Sequence, residues 1–174
     1  DLAKDLSVAG GEKAAERGRE VHAVAGYPRP RLTRIEGGFQ AHLNTAIPRN
    51  RLKSLRRNLR RLREFGEVRL ERAREPETLR LRLEQFLALE NAGWKGQYGT
   101  SLLSSPDAAA FARRVYSGTP GREGLGFIDS LLLDERPVAM TVNIASGRTA
   151  YSPKSAYDAA WRRLGPGLLL GAAL

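Results

Sequence analysis

The stretch that most restricts the fold lies near the C-terminus. Lys154-Ser155-Ala156-Tyr157-Asp158 closes a strand-like segment, and seven residues further on Pro166-Gly167 leads into Leu168-Leu169-Leu170. The strand ends in a polar turn, and Gly165-Pro166-Gly167 opens an apolar run that reads as a buried helix. This order aims a helix N-terminus, with its free backbone N–H groups, past the strand end. Such a terminus suits an anion, most often a phosphate. The plainer alternative is a Gly-Pro turn joining two elements.

The residues before it supply a sheet. Leu125–Leu133, Pro137–Ala145 and Arg148–Ala156 are strand candidates, with Asp134-Glu135-Arg136-Pro137 and Ser146-Gly147 as hairpin turns. Val68–Ala73 alternates and reads as a further strand. Leu52, Leu55, Leu59 and Leu62 recur at helical spacing between Pro48 and Gly66, with Pro48 expected at the first helical position. Pro76–Glu90 and Pro106–Tyr116 are two more amphipathic helices, and Asp107 complements the dipole of the second. Trp94-Lys95-Gly96 falls in a glycine-punctuated loop. The expected class is α+β: a mixed, mainly antiparallel sheet of about five strands flanked by helices. Residues 1–26 are weakly patterned, with a frayed helix expected around Glu12–Glu20, and suit the tail of a preceding domain. Tyr27-Pro28-Arg29-Pro30 is extended and begins the main domain, residues 27–174. The chain starts at Asp1 and stops inside Leu168–Leu174, so it reads as a piece of a longer reading frame.

Composition narrows the chemistry. With no cysteine and only His22 and His42, disulfides, thiolate or His-rich metal sites and a cysteine nucleophile are ruled out or disfavoured. What remains is chemistry by carboxylates, Lys, Tyr, Ser, or a substrate's own nucleophile helped by backbone donors. No metal cofactor is expected. No run approaches the roughly 20 apolar residues of a membrane span, and the cytoplasm is the default compartment.

Charge is concentrated. Of the net +10, residues 49–83 supply +8, thirteen Lys/Arg against five Glu. Arg49, Arg51, Lys53, Arg56, Arg57, Arg60, Arg61 and Arg63 fall in one stretch that has no acid. Arg56/Arg60 and Arg57/Arg61 are like-charge pairs at i,i+4, each mildly destabilising. Either an anionic or nucleotide partner meets this helix, with Arg56, Arg57, Arg60 and Arg61 as its contacts, or distant glutamates bridge a solvated face.

Other candidates stand alone. Glu90, beside the Gly93–Gly96 loop, is either a general base for an attacking amine or a helix-end carboxylate held by a nearby Arg. Trp94 is core, cleft wall or stacking surface, and Lys95 meets a substrate phosphate or only solvent. Tyr151, Pro153 and Ser155 alternate onto one face of their strand. Pro153 cannot donate to a ladder, so that strand is an edge or is bulged there. Tyr157 and Asp158 lie just beyond, and Asp158 takes part in catalysis or caps a turn.

The ordered set Leu89-Glu90, Gly93-Trp94-Lys95-Gly96, the three-strand meander, Lys154–Asp158 and Pro166-Gly167 followed by leucines resembles an acetyltransferase-like family of the GNAT superfamily. The Arg/Lys-rich helix from Lys53 to Gly66 adds to the likeness, which spans roughly Tyr27 to Leu174. That family is associated with cellulose or exopolysaccharide biosynthesis and is related to the aminoacyl-tRNA-dependent enzymes of peptidoglycan synthesis. The resemblance implies N-acyl transfer from acyl-CoA to a small-molecule amine or polysaccharide-precursor acceptor. Acyl-CoA would lie in a cleft between splayed strands, near Tyr151 and Ser155, its pyrophosphate on backbone groups at Gly165, Gly167 and Leu168. Trp94, Lys95, Lys154 and Tyr157 would face the acceptor, with Glu90 and Asp158 as acid–base candidates. Ala159 replaces a frequent acid, and Gly165 replaces a frequent Ser. The elements that complete the cleft would follow Leu174. An aminoacyl-tRNA-dependent aminoacyltransferase and a non-catalytic polyanion- or nucleic-acid-binding module are the alternatives.

Overall fold

In a computed structural model the chain divides into two compact units, Asp1–Arg34 and Ile35–Leu174. The structure describes Gly18, Glu20 and Thr33 of the first, and residues 35–172 of the second apart from 120–121, 124–125 and 147–148. The expected helix at Glu12–Glu20, apart from Gly18 and Glu20, and the extended Tyr27–Pro30 lie outside the described residues.

The second unit runs α1 (Gly38–Ala46), α2 (Arg49–Arg63), β1 (Val68–Ala73), α3 (Pro76–Ala92), the single turn α4 (Trp94–Gln97) and a 3-10 turn at Leu102–Ser104. Then come α5 (Pro106–Tyr116), the short strands β2 (Gly118–Thr119) and β3 (Arg122–Glu123), β4 (Gly126–Leu133), β5 (Arg136–Ser146) and β6 (Thr149–Tyr157). A second 3-10 turn (Ala159–Leu164) and α6 (Pro166–Gly171) follow. The main sheet has the order β1-β4-β5-β6, and all three of its strand pairs are antiparallel. Among the described residues it therefore holds four strands, against about five expected, while the α+β layering with flanking helices is as expected.

Local chemistry accounts for the boundaries. Pro48 takes the N-cap of α2 and not its first turn: it is extended, and its carbonyl accepts from Arg51 and Leu52 N–H. Pro76 and Pro106 do open α3 and α5, and the Ser105 hydroxyl caps α5 by accepting from Ala108 N–H. Trp94-Lys95-Gly96 forms the helical turn α4 where a loop was expected. Gly96 is required there, because a Cβ would collide with the Asn91 carbonyl oxygen. The β4–β5 hairpin turns on Asp134 and Glu135, both with positive φ (46° and 64°), which matches the right-handed twist of the strands.

The core has two layers. Ile128 of β4 and Met140 and Val142 of β5 pack under Leu83, Phe86 and Leu87 of α3 and Ala112 and Tyr116 of α5. On the opposite face, Leu131, Leu133, Val138 and Ala139 meet Leu62 of α2 with Leu169 and Leu170 of α6. β4 is buried on both faces from Phe127 to Leu133, which suits its central place. Each fully buried Leu, Ile or Phe contributes about 1.5–3 kcal/mol.

Two bulges shape the β5–β6 region. Leu131 faces Ala139 but Leu132 faces Pro137, so Val138 is an extra residue. Val142 faces Lys154 but Ile144 faces Tyr151, so β6 carries the extra residue at Ser152-Pro153. β6 is also the sheet edge, so Pro153 sits where its missing N–H is tolerated. The bulge corrects one expectation. Tyr151 and Ser155 do not share a face: Tyr151 and Lys154 pair with Ile144 and Val142 on the α3 side, whereas Ser155 pairs with Thr141 on the other.

Candidate functional site

The expected site residues fall into three places. The first lies where α3, α4 and β6 meet. Glu90 is almost fully buried at 2 % exposure. Its Oε1 accepts from Lys95 Nζ and Lys154 Nζ, both at 3.1 Å, and its Oε2 accepts from Leu102 N–H at 2.8 Å. Lys95 Nζ also donates to the Ser155 carbonyl at 2.8 Å. One carboxylate thus ties the end of α3, the turn after it and the edge strand together. Burial opposes ionisation of Glu90, but the Leu102 amide and the two ammonium groups outweigh it, and its pKa is lowered from the ordinary value. A carboxylate that is ionised, enclosed and already bonded on both oxygens is a poor proton acceptor. The geometry suits an anchor better than a general base, and the cations that hold it are lysines. Buried Tyr116 nearby has its pKa raised, first by burial and then by the Glu90 charge.

Beside this anchor lies an exposed aromatic pair. Trp94 and Tyr98 are 55 % and 75 % exposed, their rings edge to face at 6.3 Å. Lys95 Nζ lies 5.9 Å from the Trp94 ring. Trp94 is therefore surface rather than core, and Lys95 is committed to Glu90 and Ser155.

The second place is the connection from β6 to α6. Asp158 caps the 3-10 turn, accepting from Ala160 N–H at 2.9 Å, which is the capping alternative. Tyr157 is exposed. Gly165 is left-handed (φ 64°) and forms the N-cap of α6, a conformation that strains any other residue. Its N–H is spent on the Arg162 carbonyl (3.1 Å), and the Leu168 N–H on the Gly165 carbonyl (3.0 Å). Pro166 lacks an N–H, so of the amides of Gly165, Gly167 and Leu168 it is that of Gly167 that has no hydrogen bond among the described residues. The Gly167 backbone is exposed, with open space around the position of a Cβ. Arg162 and Arg163 are exposed and make no ion pair among the described residues.

The third place is α2. Its apolar side faces the fold and all eight of its basic residues are exposed. Arg56, Arg57, Arg60 and Arg61 make no ion pair among the described residues, so no described glutamate bridges this face. Asn58 of α2 donates to the Leu164 carbonyl at 3.1 Å, which sets the helix beside the Gly165 turn.

One polar line was not anticipated. Arg72 of β1 grips buried Asp129 of β4 through two bonds (2.6 and 3.1 Å). Asn143 of β5 donates to the same carboxylate at 3.1 Å, and the Ser152 hydroxyl in the β6 bulge donates to Asn143 at 2.5 Å. The chain of bonds crosses the sheet and ends at the bulge. Asp129 and Asn143, polar residues inside otherwise apolar strands, were the available signal.

A family model described as an acetyltransferase (GNAT) domain matches residues 49–174. No curated protein and no solved structure matches the chain.

Proposed function

The chain belongs to the acetyltransferase (GNAT) family, and from that premise we propose that its domain transfers an acyl group from acyl-CoA to an amine. The observation that carries the reading is β6: an edge strand, bulged at Ser152-Pro153, that runs into the Gly165-Pro166-Gly167 turn. An edge strand leaves one row of backbone groups for an extended guest, and the amides of a pantetheine arm are such a guest. The bulge breaks the ladder and re-aims the groups near it. The diphosphate then meets the Gly167 amide, an approach free of any Cβ, and the charges of Arg162 and Arg163.

The amine attacks the thioester carbonyl, the carbon–sulfur bond breaks, and CoA leaves as the thiol after taking up the proton the amine gives up. No covalent enzyme intermediate is needed, which suits a chain without cysteine. Holding the two reactants together supplies much of the rate. Glu90, Lys95 and Lys154 act by anchoring β6 against α3. Trp94 and Tyr98, exposed beside that anchor, are the surface against which an acceptor packs. Association with polysaccharide precursors belongs to the same reading of the acceptor.

The test is binding of coenzyme A to the full chain. CoA raises the melting temperature of the parent by mass action, and Gly167→Glu abolishes the rise. The variant folds as the parent does, since a Cβ there meets no atom within 4 Å. A parent that neither CoA nor acetyl-CoA stabilises at millimolar concentration sinks the proposal.

A further inference from the structure

Arg60, Arg61 and Arg63 in the last turn of α2 suit its dipole, but the rest of the helix is at odds with its own electrostatics. No acid lies in its first turn, where the helix dipole favours one. Lys53/Arg56, Lys53/Arg57, Arg56/Arg60, Arg57/Arg60, Arg57/Arg61 and Arg60/Arg63 all set like charges three or four residues apart. None of these cations makes an ion pair among the described residues. Elsewhere in the same fold Arg69, Arg72, Arg82 and Arg113 each grip a carboxylate. Among the described residues, acids are thus supplied to the sheet and to α3 but not to α2.

The free charges are ordered. Arg49, Lys53, Arg56, Arg60 and Arg63 form one straight stripe, about 21 Å long at 1.5 Å per residue. Four of the five, with Leu59, line a hollow of ≈ 360 Å³. Seven of the eight cations on α2 are arginines, whose planar fork fits phosphate oxygens in pairs. Just past the stripe, Phe65 is 62 % exposed and meets Trp161 edge to face at 4.9 Å. Trp161 is nearly a hundred residues away in sequence, so only the fold supplies this aromatic platform.

We infer that α2, with the Phe65–Trp161 pair at its end, is a binding surface for a single strand of nucleic acid. The five cations of the stripe, spread over about 21 Å, offer a flexible single strand up to five phosphate contacts, and an exposed ring at its end offers a base a stacking partner. The surface does not suit insertion into a lipid bilayer. The apolar side of α2 is already packed in the core through Leu62, with Leu52 buried as well, which leaves only charge for a membrane. The inference is independent of acyl transfer and stands or falls without it.

The experiment is titration of the full chain into a labelled single-stranded RNA of mixed sequence, read by fluorescence anisotropy over a salt series. Five phosphate contacts give a slope of log affinity against log salt of about −3.5, and Arg56→Gln with Arg60→Gln flattens it by about 1.4. Phe65→Ala weakens RNA by about five-fold or more without changing the slope, because stacking releases no counterions. The same variant leaves binding of inorganic polyphosphate unchanged, since polyphosphate has no bases. All three substitutions are at exposed positions, and circular dichroism checks that the variants stay folded. The inference fails if the RNA is not bound at about 50 mM salt, or if the double variant binds as the parent does. It fails equally if Phe65→Ala weakens RNA and polyphosphate alike or neither, if anionic vesicles are bound more tightly than RNA, or if coenzyme A displaces the RNA, which would assign the surface to the acyl donor.

Discussion

Replacing Glu90 by Gln separates the anchor from the general base. The substitution keeps the shape and an oxygen for the Leu102 amide. It removes the charge that Lys95 and Lys154 share. Breaking a fully buried pair costs about 3–5 kcal/mol, because the partner is left charged and unpaired. Here the lysine side chains are 21 % and 30 % exposed, and each also reaches a backbone carbonyl, at Ser155 and Thr100. Water and those carbonyls recover part of the loss, so the expected cost is roughly 2–3 kcal/mol. Lys95→Met and Lys154→Met singly cost less than Glu90→Gln, since either lysine alone still balances the carboxylate. Urea unfolding at neutral pH measures all three.

The pH dependence has a definite sign. The Glu90 carboxyl has a lowered pKa in the folded chain, so on acidification the unfolded chain takes up its proton first. The stabilisation is complete above the ordinary glutamate range, about 4.3, and is lost as pH falls through the folded value. The glutamine variant has no such term to lose. The stability gap between parent and variant therefore closes in acid and is constant through neutrality. If Glu90→Gln unfolds at the parent's urea midpoint, the anchor reasoning is refuted. Loss of transferase activity at unchanged stability would return Glu90 to the role of base.

Two further substitutions test the sheet. Ser130, fully buried in β4, has a hydroxyl with no hydrogen-bond partner among the described residues; Ser130→Ala removes that desolvated group and raises stability by about 1 kcal/mol in urea unfolding. Asp129→Ala strips the partner from Arg72 and from Asn143; it costs roughly 2 kcal/mol, because Arg72 is 45 % exposed and rehydrates, and hydrogen exchange should quicken near Ser152 in β6.

What the sequence disclosed and what it concealed divide along the range of the interactions involved. The helices are written in local signals: leucines at helical spacing in Arg49–Arg63, Pro76 and Pro106 at helix starts, Gly93 at a helix end. The meander is equally local, since Asp134-Glu135 turns the chain on itself within two residues. Pro153 announced an interruption of β6, yet nothing nearby tells which residue becomes the extra one. That choice, settled against β5, turned Tyr151 and Lys154 together toward α3 and left Ser155 on the other face. Glu90 is the sharper case. A glutamate at a helix end next to a glycine loop reads identically as base or anchor. The difference lies in how many donors surround it, and one of them, Lys154, arrives from 64 residues away. The arginines of α2 reverse the situation, for their lack of acidic neighbours is local and visible, whereas the absence of a bridging glutamate among the described residues emerges only from the tertiary structure. The same long-range folding that occupies Glu90 leaves those arginines free, so the residues still able to meet a ligand are those the chain has not already spent on itself.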